Sequence, residues 1–552
     1  MAVSTNTLIG HLTEIRNGRM RGQLLNEDEG FQPIVQLEGR PLLVGQVGSY
    51  VCVRQFGFQL LAIVGHVEFA VDSSAAAPRS AAGCRLDLAP LGEISEKTGF
   101  TQGIRRFPTP GAEIHLVSVS EVNLIFVKNR QFGFAAGYLR EHPTAHIYLN
   151  PTAMFSRHFA ILGQSGSGKS WAVASLLQNT VKAMPKAHII LLDPHGEYCW
   201  FDERRQLHSA FEQGIYRYLD ARALEIPYWL MSFQELLDLL IDRNDPGATI
   251  QTAFLRDTVL SLKNEAAQSL GLERASLDSP LYFPLRRVYE MFKDANETRL
   301  DFGKTKGPLY GQFDEFLVKL LSRLNDMRYD FLLNPQRRNH SDSMAGLLRD
   351  FVGLGQQRCR ITVIDLSHIP FDVRPVVSAQ IGRLAFEFSY WNPQHREFPI
   401  LLICEEAHAY IPRAAGTQYE GARRSMERIA KEGRKYGVGL GVVSQRPHEV
   451  SETVLSQCGT FVCLRITNPD DQVYVRQLVP EGESDLVDML TSLGRGEAMI
   501  LGEAIPLPIR CQIFKPHPTP NSSDADFHSG WTEGPDDLDM DAIVNRWRRQ
   551  GR

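Results

Sequence analysis

Residues 163–170 read Gly163-Gln164-Ser165-Gly166-Ser167-Gly168-Lys169-Ser170, which meets the pattern GxxxxGK[ST]. The chemistry of that spacing is phosphate binding. Glycines let consecutive backbone N–H groups turn inward, and the helix behind adds the positive end of its dipole. Lys169 is placed to neutralise β/γ-phosphate charge, and the Ser170 hydroxyl to ligate Mg²⁺. Trp171 follows directly and is grouped with the loop as a nucleotide-binding residue. A glycine- and serine-rich stretch can also be a plain flexible loop. The context argues against that, because an apolar strand precedes it and an amphipathic helix follows.

Hydrolysis needs acids as well. The apolar run 399–404 delivers Glu405-Glu406-Ala407-His408. In phosphoryl transfer one carboxylate holds the metal and another group orients the attacking water. Glu405 is assigned to the metal with Ser170, and Glu406 to the water. Asp is the usual first acid, so Glu405 is a longer-armed departure. His408 is read as a supporting or surface residue rather than a base. Asp193 ends the strand 189–192 and opens Asp193-Pro194-His195-Gly196-Glu197-Tyr198. The carboxyl edge of a parallel sheet is where ligands bind, so Asp193 or Glu197 can assist metal or water; Asp-Pro with Gly is equally turn chemistry. Gln445, in Ser444-Gln445-Arg446-Pro447, suits sensing of the γ-phosphate.

These residues need a scaffold. Residues 1–145 read as β: 35–37, 42–44, 50–54 and 59–67 are short apolar or alternating runs punctuated by Gly39, Gly45, Gly48 and Gly57, and 113–119 and 122–127 follow. Such spacing suggests a small barrel or sandwich. The Ala- and Ser-rich segment 73–82 is expected to be a loop. From about 146 the pattern changes to apolar strands (159–162, 189–192, 361–366, 400–404, 439–443, 460–465) alternating with helical periods such as 170–184. That is the signature of a parallel sheet covered on both faces. The expected core spans 146–515. A mainly helical insertion over about 205–357 interrupts it, with Ser232 and Glu235 as a capping box and long helices at 249–270 and 309–333. The Pro-, Ser- and Asp-rich residues 516–552 read as an extended tail.

Composition fits this picture. The chain has 552 residues, 43% hydrophobic and 22% charged, enough for several domains. The 8 cysteines include no CxxC pair and are expected to be buried thiols in a reducing compartment. No stretch approaches the roughly 18 apolar residues of a membrane span. The N-terminus lacks the apolar segment of a signal peptide. A cytoplasmic protein is therefore expected. The net charge of −5 excludes a generally basic surface but not a local nucleic-acid stripe.

The set GQSGSGKS, DPHGEY, ITVIDLS, ILLICEEAH, AKEGRKYGVGL and VVSQRP, in that order over 157–513, resembles the HerA family of hexameric ATPases, related to FtsK-like DNA pumps. The resemblance implies an α/β, RecA-like P-loop core behind a small N-terminal β-barrel. It also implies a homohexameric ring that translocates double-stranded DNA on ATP and Mg²⁺. A partner nuclease or effector would dock on the barrel face, in DNA end processing or antiphage defence. A ring gives arginines two uses. One is a finger supplied to the neighbour's nucleotide. Arg434, in a Gly-flanked segment before 439–443, is the first choice, with Arg157 and Arg428 behind it. The other is sequence-independent contact with DNA phosphates. Arg413, Arg423 and Arg424 are the leading group for that, and Arg337 and Arg338 the weaker one. Two other readings stay open: a regulatory ATPase that activates a partner, and a slow NTP-dependent switch. No nuclease constellation is visible in this chain.

Overall fold

The computed structural model of the chain describes residues 7–16, 18–25, 34–37, 40–69, 84–140, 142–202, 204–242, 245–300, 304–371, 373–414, 416, 419–479, 481–522 and 525–548. The segment 73–82, expected as a loop, and Gly39 lie outside them.

Period-two burial builds the N-terminal sheet. In Arg19–Leu24 the alternation is strict, with Met20, Gly22 and Leu24 inward. The strands run Arg19–Leu24, Leu8–Arg16, Glu113–Leu116, Tyr50–Gln55, Phe58–Phe69 and Cys84–Ser95, and the last pairs back onto the first. Six antiparallel strands thus close into a barrel, and Gly99–Gln102 extends Cys84–Ser95 beyond the closure. Ile9, Leu12, Met20, Val53, Leu60, Val64, Leu88 and Ile114 fill it. A Cβ on Gly22 would come within 2.3 Å of Ile114 Cδ1, so a larger residue there would push the Ile114 side chain aside. Three strands of this barrel, Leu8–Arg16, Arg19–Leu24 and Cys84–Ser95, are not marked individually by the sequence.

The expected β segment 122–127 is a correction. Val119–Ile125 is a helix, followed by a second, Val127–Phe132. A capping box decides it. Ser118 Oγ accepts from Glu121 N at 3.3 Å, and Ser118 N donates to Glu121 Oε2 at 2.9 Å. Arg54 on the barrel then pairs with Glu121 at 2.7 Å.

Two units divide the chain: Met1–Pro185, Gly441–His448 and Leu455–Thr519 form one, and Lys186–Leu440, Glu449–Val454 and Pro520–Arg552 the other. The first unit holds the barrel and the strands His146–Leu149, Phe134–Tyr138, Ile509–Ile513, Glu497–Gly502, Thr460–Cys463 and Phe159–Leu162, in that order. Phe159–Leu162 runs parallel to Thr460–Cys463 on one side and to Gly441, Val442, Val443 and Ser444 on the other. Helix Lys169–Ala183 follows it.

The second unit carries Ile400–Cys404, Ile189–Asp193, Ile361–Asp365 and Tyr216–Asp220, all parallel in that order. The first three are buried along their whole length, as strands covered on both faces must be. Tyr216–Asp220 is a core strand inside the segment read as a helical insertion. The rest of that segment is mostly helical, including Phe233–Leu240, Ala248–Ser269, Leu285–Glu297, Asp314–Leu324 and Ser343–Phe351. Phe254, Phe292, Phe313 and Phe316 pack at its centre, with Phe292 and Phe316 stacked at 4.2 Å. The single helix expected over 309–333 breaks after Leu324. Asp326 accepts from Arg328 N at 3.0 Å and starts the turn Met327–Tyr329 instead. The tail, expected to be extended, carries two short helices, Phe527–Thr532 and Met540–Arg548. No helix among the described residues is long and apolar enough to cross a membrane.

Candidate nucleotide site and its acids

The phosphate loop owes its shape to two left-handed glycines. Gly166 has φ +74° and Gly168 φ +101°, a region L side chains adopt only under strain. Gly168 caps helix Lys169–Ala183 without a side chain, so no capping side chain competes for the first-turn N–H groups. They can face an anion. The loop is pinned at both ends. Gln164 N donates to Arg465 O at 2.9 Å, and Gln164 Oε1 accepts from Thr467 Oγ1 at 2.6 Å. Ser167 Oγ donates to Gln164 O at 2.7 Å, and Gly496 N donates to Ser167 O at 3.0 Å. Lys169 is buried and lies along the loop, its Nζ 3.2 Å from Gln164 O. A buried ammonium held against a glycine-rich loop at a helix N-terminus fits a polyphosphate, and Ser170 on the first turn offers the hydroxyl that Mg²⁺ takes in such sites. Gln445 follows directly on strand Val438–Ser444, half-buried, where Arg446 N donates to Ser444 Oγ at 3.0 Å.

The acids belong to the second unit. Glu405, at the end of Ile400–Cys404, is 5% exposed. The fully buried Tyr198 hydroxyl donates to its Oε1, and Tyr410 Oη donates to its backbone carbonyl at 2.9 Å. Glu406 is a non-glycine residue at φ +48°, ψ +44°. Such strain costs about 1–3 kcal/mol and is retained where function needs the geometry. Its Oε2 is a buried acceptor without a hydrogen-bond donor among the described residues, although His408 Nδ1 stands 3.2 Å away. An orphaned carboxylate oxygen of this kind suits a water molecule.

Asp193 is committed to its own loop. Oδ1 accepts from Gly196 N at 2.8 Å, Glu197 N at 3.1 Å and His195 N at 3.3 Å, and Oδ2 from Tyr198 N at 2.9 Å. Burial pushes its pKa up to about 7 against the pull of these donors. Of the two uses the sequence allows it, the geometry favours the turn, and the backbone it holds carries Tyr198 to Glu405. Sheet register aligns Asp193 with Asp365 and Asp365 with Asp220. Burial alone would raise the Asp365 pKa, but hydrogen bonds from His368, Ser367 and Tyr218 hold it below the usual range. That pairing with Asp365 raises the pKa of His368.

Comparison with known sequences decides the family. The family described as "Helicase HerA, central domain" matches residues 134–385, and "Helicase HerA-like C-terminal" matches 397–514. A DNA double-strand break repair helicase HerA from Pyrococcus furiosus is 30% identical over 448 residues, covering 76% of this chain and 75% of the relative. The chain belongs to the HerA helicase family. It is a P-loop ATPase. A probable HerA repair helicase of Methanocaldococcus jannaschii is 29% identical over 74% of this chain and 80% of its own length. Among solved structures, VirB4 of Thermoanaerobacter pseudethanolicus is similar at a TM-score of 0.45 and 17% identity, over 69% of this chain and 96% of that one.

In this HerA-family chain the arginines separate by their partners. Arg434 lies in the last turn of helix Glu420–Tyr436, not in a loop, because the helix runs on until Gly437 closes it at φ +73°. It is exposed, with no ion pair among the described residues. Arg157 caps helix Pro151–Ser156 and pairs with Glu503 at the surface. Arg428 is taken by structure: it pairs with Glu387 at 2.9 Å and stands 4.0 Å over the Phe386 ring. Arg423 is held between Glu420 at 3.1 Å and Glu427 at 3.8 Å, with its side chain 17% exposed. Arg424 leans on Glu420 at 3.0 Å but is 59% exposed, and Arg413 is 52% exposed beside Glu452. Arg338 is half-buried and pairs with Asp350 at 2.9 Å, while Arg337 borders Glu225. Tyr198 is the residue sequence reasoning passed over. The only signal was its place in DPHGEY.

Proposed function

We propose that this HerA-family ATPase is a homohexameric motor that moves along double-stranded DNA at the expense of ATP. A partner nuclease or effector docks on the barrel face, in DNA end processing or antiphage defence in the cytoplasm. The observation that carries the reading is the pinned, glycine-rich phosphate loop at the N-terminus of helix Lys169–Ala183, with Lys169 buried against it. The names of the relatives as double-strand break repair helicases support DNA as the track.

The residues take the following roles. Gly163, Gln164, Ser165, Gly166, Ser167, Gly168 and Lys169 bind the phosphates, with Trp171 at the helix start. Ser170 and Glu405 hold Mg²⁺, and Tyr198 fixes the orientation of the Glu405 carboxylate. When bound, Mg²⁺ neutralises charge on the β- and γ-phosphate oxygens. Glu406 accepts the proton of the attacking water through Oε2, the oxygen that faces His408. Gln445 senses the γ-phosphate from its strand end. Arg434 serves the neighbour's nucleotide, and Arg157 does so if it releases Glu503. Arg413 and Arg424 contact DNA phosphates, and Arg423 braces the helix that carries Arg424.

The test is ATP hydrolysis by the purified chain with and without duplex DNA. Stimulation by DNA supports the motor. A rate unmoved by DNA but raised by a partner protein would replace it with a regulatory ATPase.

A further inference from the structure

The loop Gly494-Arg495-Gly496 has no place in the phosphate-loop signature, yet it is built onto the phosphate loop. Gly496 N donates to Ser167 O at 3.0 Å, and a Cβ on Gly168 would meet Gly496 N at 3.3 Å. Ile513 N donates to Gly496 O at 3.0 Å, which fixes the loop against the strand that leads to Lys515. Glu497, almost wholly buried, clamps its base: Oε2 accepts from Gly494 N at 2.7 Å and Arg510 at 2.9 Å, and Oε1 from Arg140 at 2.7 Å.

The clamp brings two cations to one ring. The Arg495 guanidinium lies 5.4 Å from the centre of the Trp171 ring, and Lys515 Nζ lies 5.3 Å from the same centre. Both cations are exposed, and Trp171 is half-buried. Trp171 is the residue next to Ser170, so this platform stands at the first turn of the helix, just past the residues assigned to the phosphates. A nucleobase is the ligand that uses all three groups. Its π-face stacks on a guanidinium or indole plane, and the ring nitrogens of adenine accept hydrogen bonds from Arg and Lys.

We propose that Arg495 and Lys515, perched on Trp171, form the platform on which the base of the bound nucleotide rests, with Glu497 as the positioning residue that holds the Arg495 loop in place. The assignment rests on the reading of the chain as an ATPase. It divides the site into a phosphate half, owned by Lys169, and a base half, owned by Arg495 and Lys515.

Calorimetric titration of the full chain in Mg²⁺ with ATP, ADP and inorganic tripolyphosphate separates the halves, because tripolyphosphate carries no base. The double variant Arg495→Ala/Lys515→Ala should bind ATP and ADP about 10- to 100-fold more weakly and tripolyphosphate within about twofold of the parent. Trp171→Ala should follow the double variant. Lys169→Ala should weaken all three ligands. The platform is overturned if the double variant binds ATP as the parent does. It is equally overturned if its tripolyphosphate affinity falls in step with ATP, since the cations would then serve the phosphate chain. Unchanged binding of all three ligands by Lys169→Ala would overturn the ATPase reading instead.

Discussion

Replacing Gly168 by alanine perturbs the phosphate loop where it meets the backbone of Gly496. Two costs add. A left-handed conformation costs an L-residue about 1–2 kcal/mol, and φ at Gly168 is +101°, further out than the usual left-handed well. The new Cβ would also lie 3.3 Å from Gly496 N and 3.5 Å from Gly496 Cα, backbone atoms that cannot swing aside. Relief requires φ to change, which turns the Lys169 N–H away from the anion, or the Gly494–Gly496 segment to lift from Ser167. We expect a combined loss of about 1–3 kcal/mol, seen as roughly 5- to 150-fold weaker ATP binding or as an equivalent loss of thermal stability. Gly166 supplies the control. It has φ +74° and nothing within 4 Å of its built Cβ, so Gly166→Ala should bear only the conformational cost, about 1 kcal/mol. Calorimetry with ATP and a thermal melt on both variants give the comparison. If Gly168→Ala matches the parent in both, or is no worse than Gly166→Ala, the contact with Gly496 does not shape the site.

Other consequences can be measured on the same protein. Arg423→Ala should lower the melting temperature, because it strips Glu420 and Glu427 of a partner, whereas Arg424→Ala should lower the salt slope of duplex binding by about 0.9 for each DNA phosphate that Arg424 neutralises. An unchanged slope in Arg424→Ala would remove that residue from the DNA path. Mixing Arg434→Ala with Lys169→Ala, each inactive alone, should restore some ATPase activity where an intact loop faces an intact arginine; normal turnover by Arg434→Ala would end its candidacy. His368 has a pKa raised above 6.5 by Asp365, so its stabilisation is complete below that value and is lost as pH rises through the raised one. The stability gap between the parent and His368→Gln should therefore narrow as pH is raised, and a gap that widens would refute the pairing.

The sequence made the phosphate loop and the acid pair legible because their chemistry tolerates few residue types at few spacings. The buried strands 159–162, 189–193 and 400–404 were equally plain, since both faces must be apolar. The barrel was legible as a class but not strand by strand. Arg19–Leu24 shows only two apolar inward side chains, and Cys84–Ser95 is interrupted by Pro90 and Gly92. The helix Val119–Ile125 was hidden because its apolar residues also fit a strand, and only the cap at Ser118 and Glu121 separates the two. The fate of single polar residues depends on distant partners that no local pattern reveals. Tyr198 reaches Glu405 across 207 positions of chain, and Arg428 finds Phe386 and Glu387 on another helix. Asp193 could be read either way until its four backbone donors were seen.

The central claim is that ATP hydrolysis at this site drives movement along duplex DNA. It is tested most directly by displacement of a labelled third strand from a triplex by the full chain. The account predicts displacement that requires ATP and Mg²⁺. It also predicts that Glu406→Gln, which binds ATP but hydrolyses it about 10²- to 10⁴-fold more slowly, loses displacement in proportion. Displacement that persists undiminished in Glu406→Gln, or a parent protein that hydrolyses ATP on DNA and never displaces the strand, would contradict it.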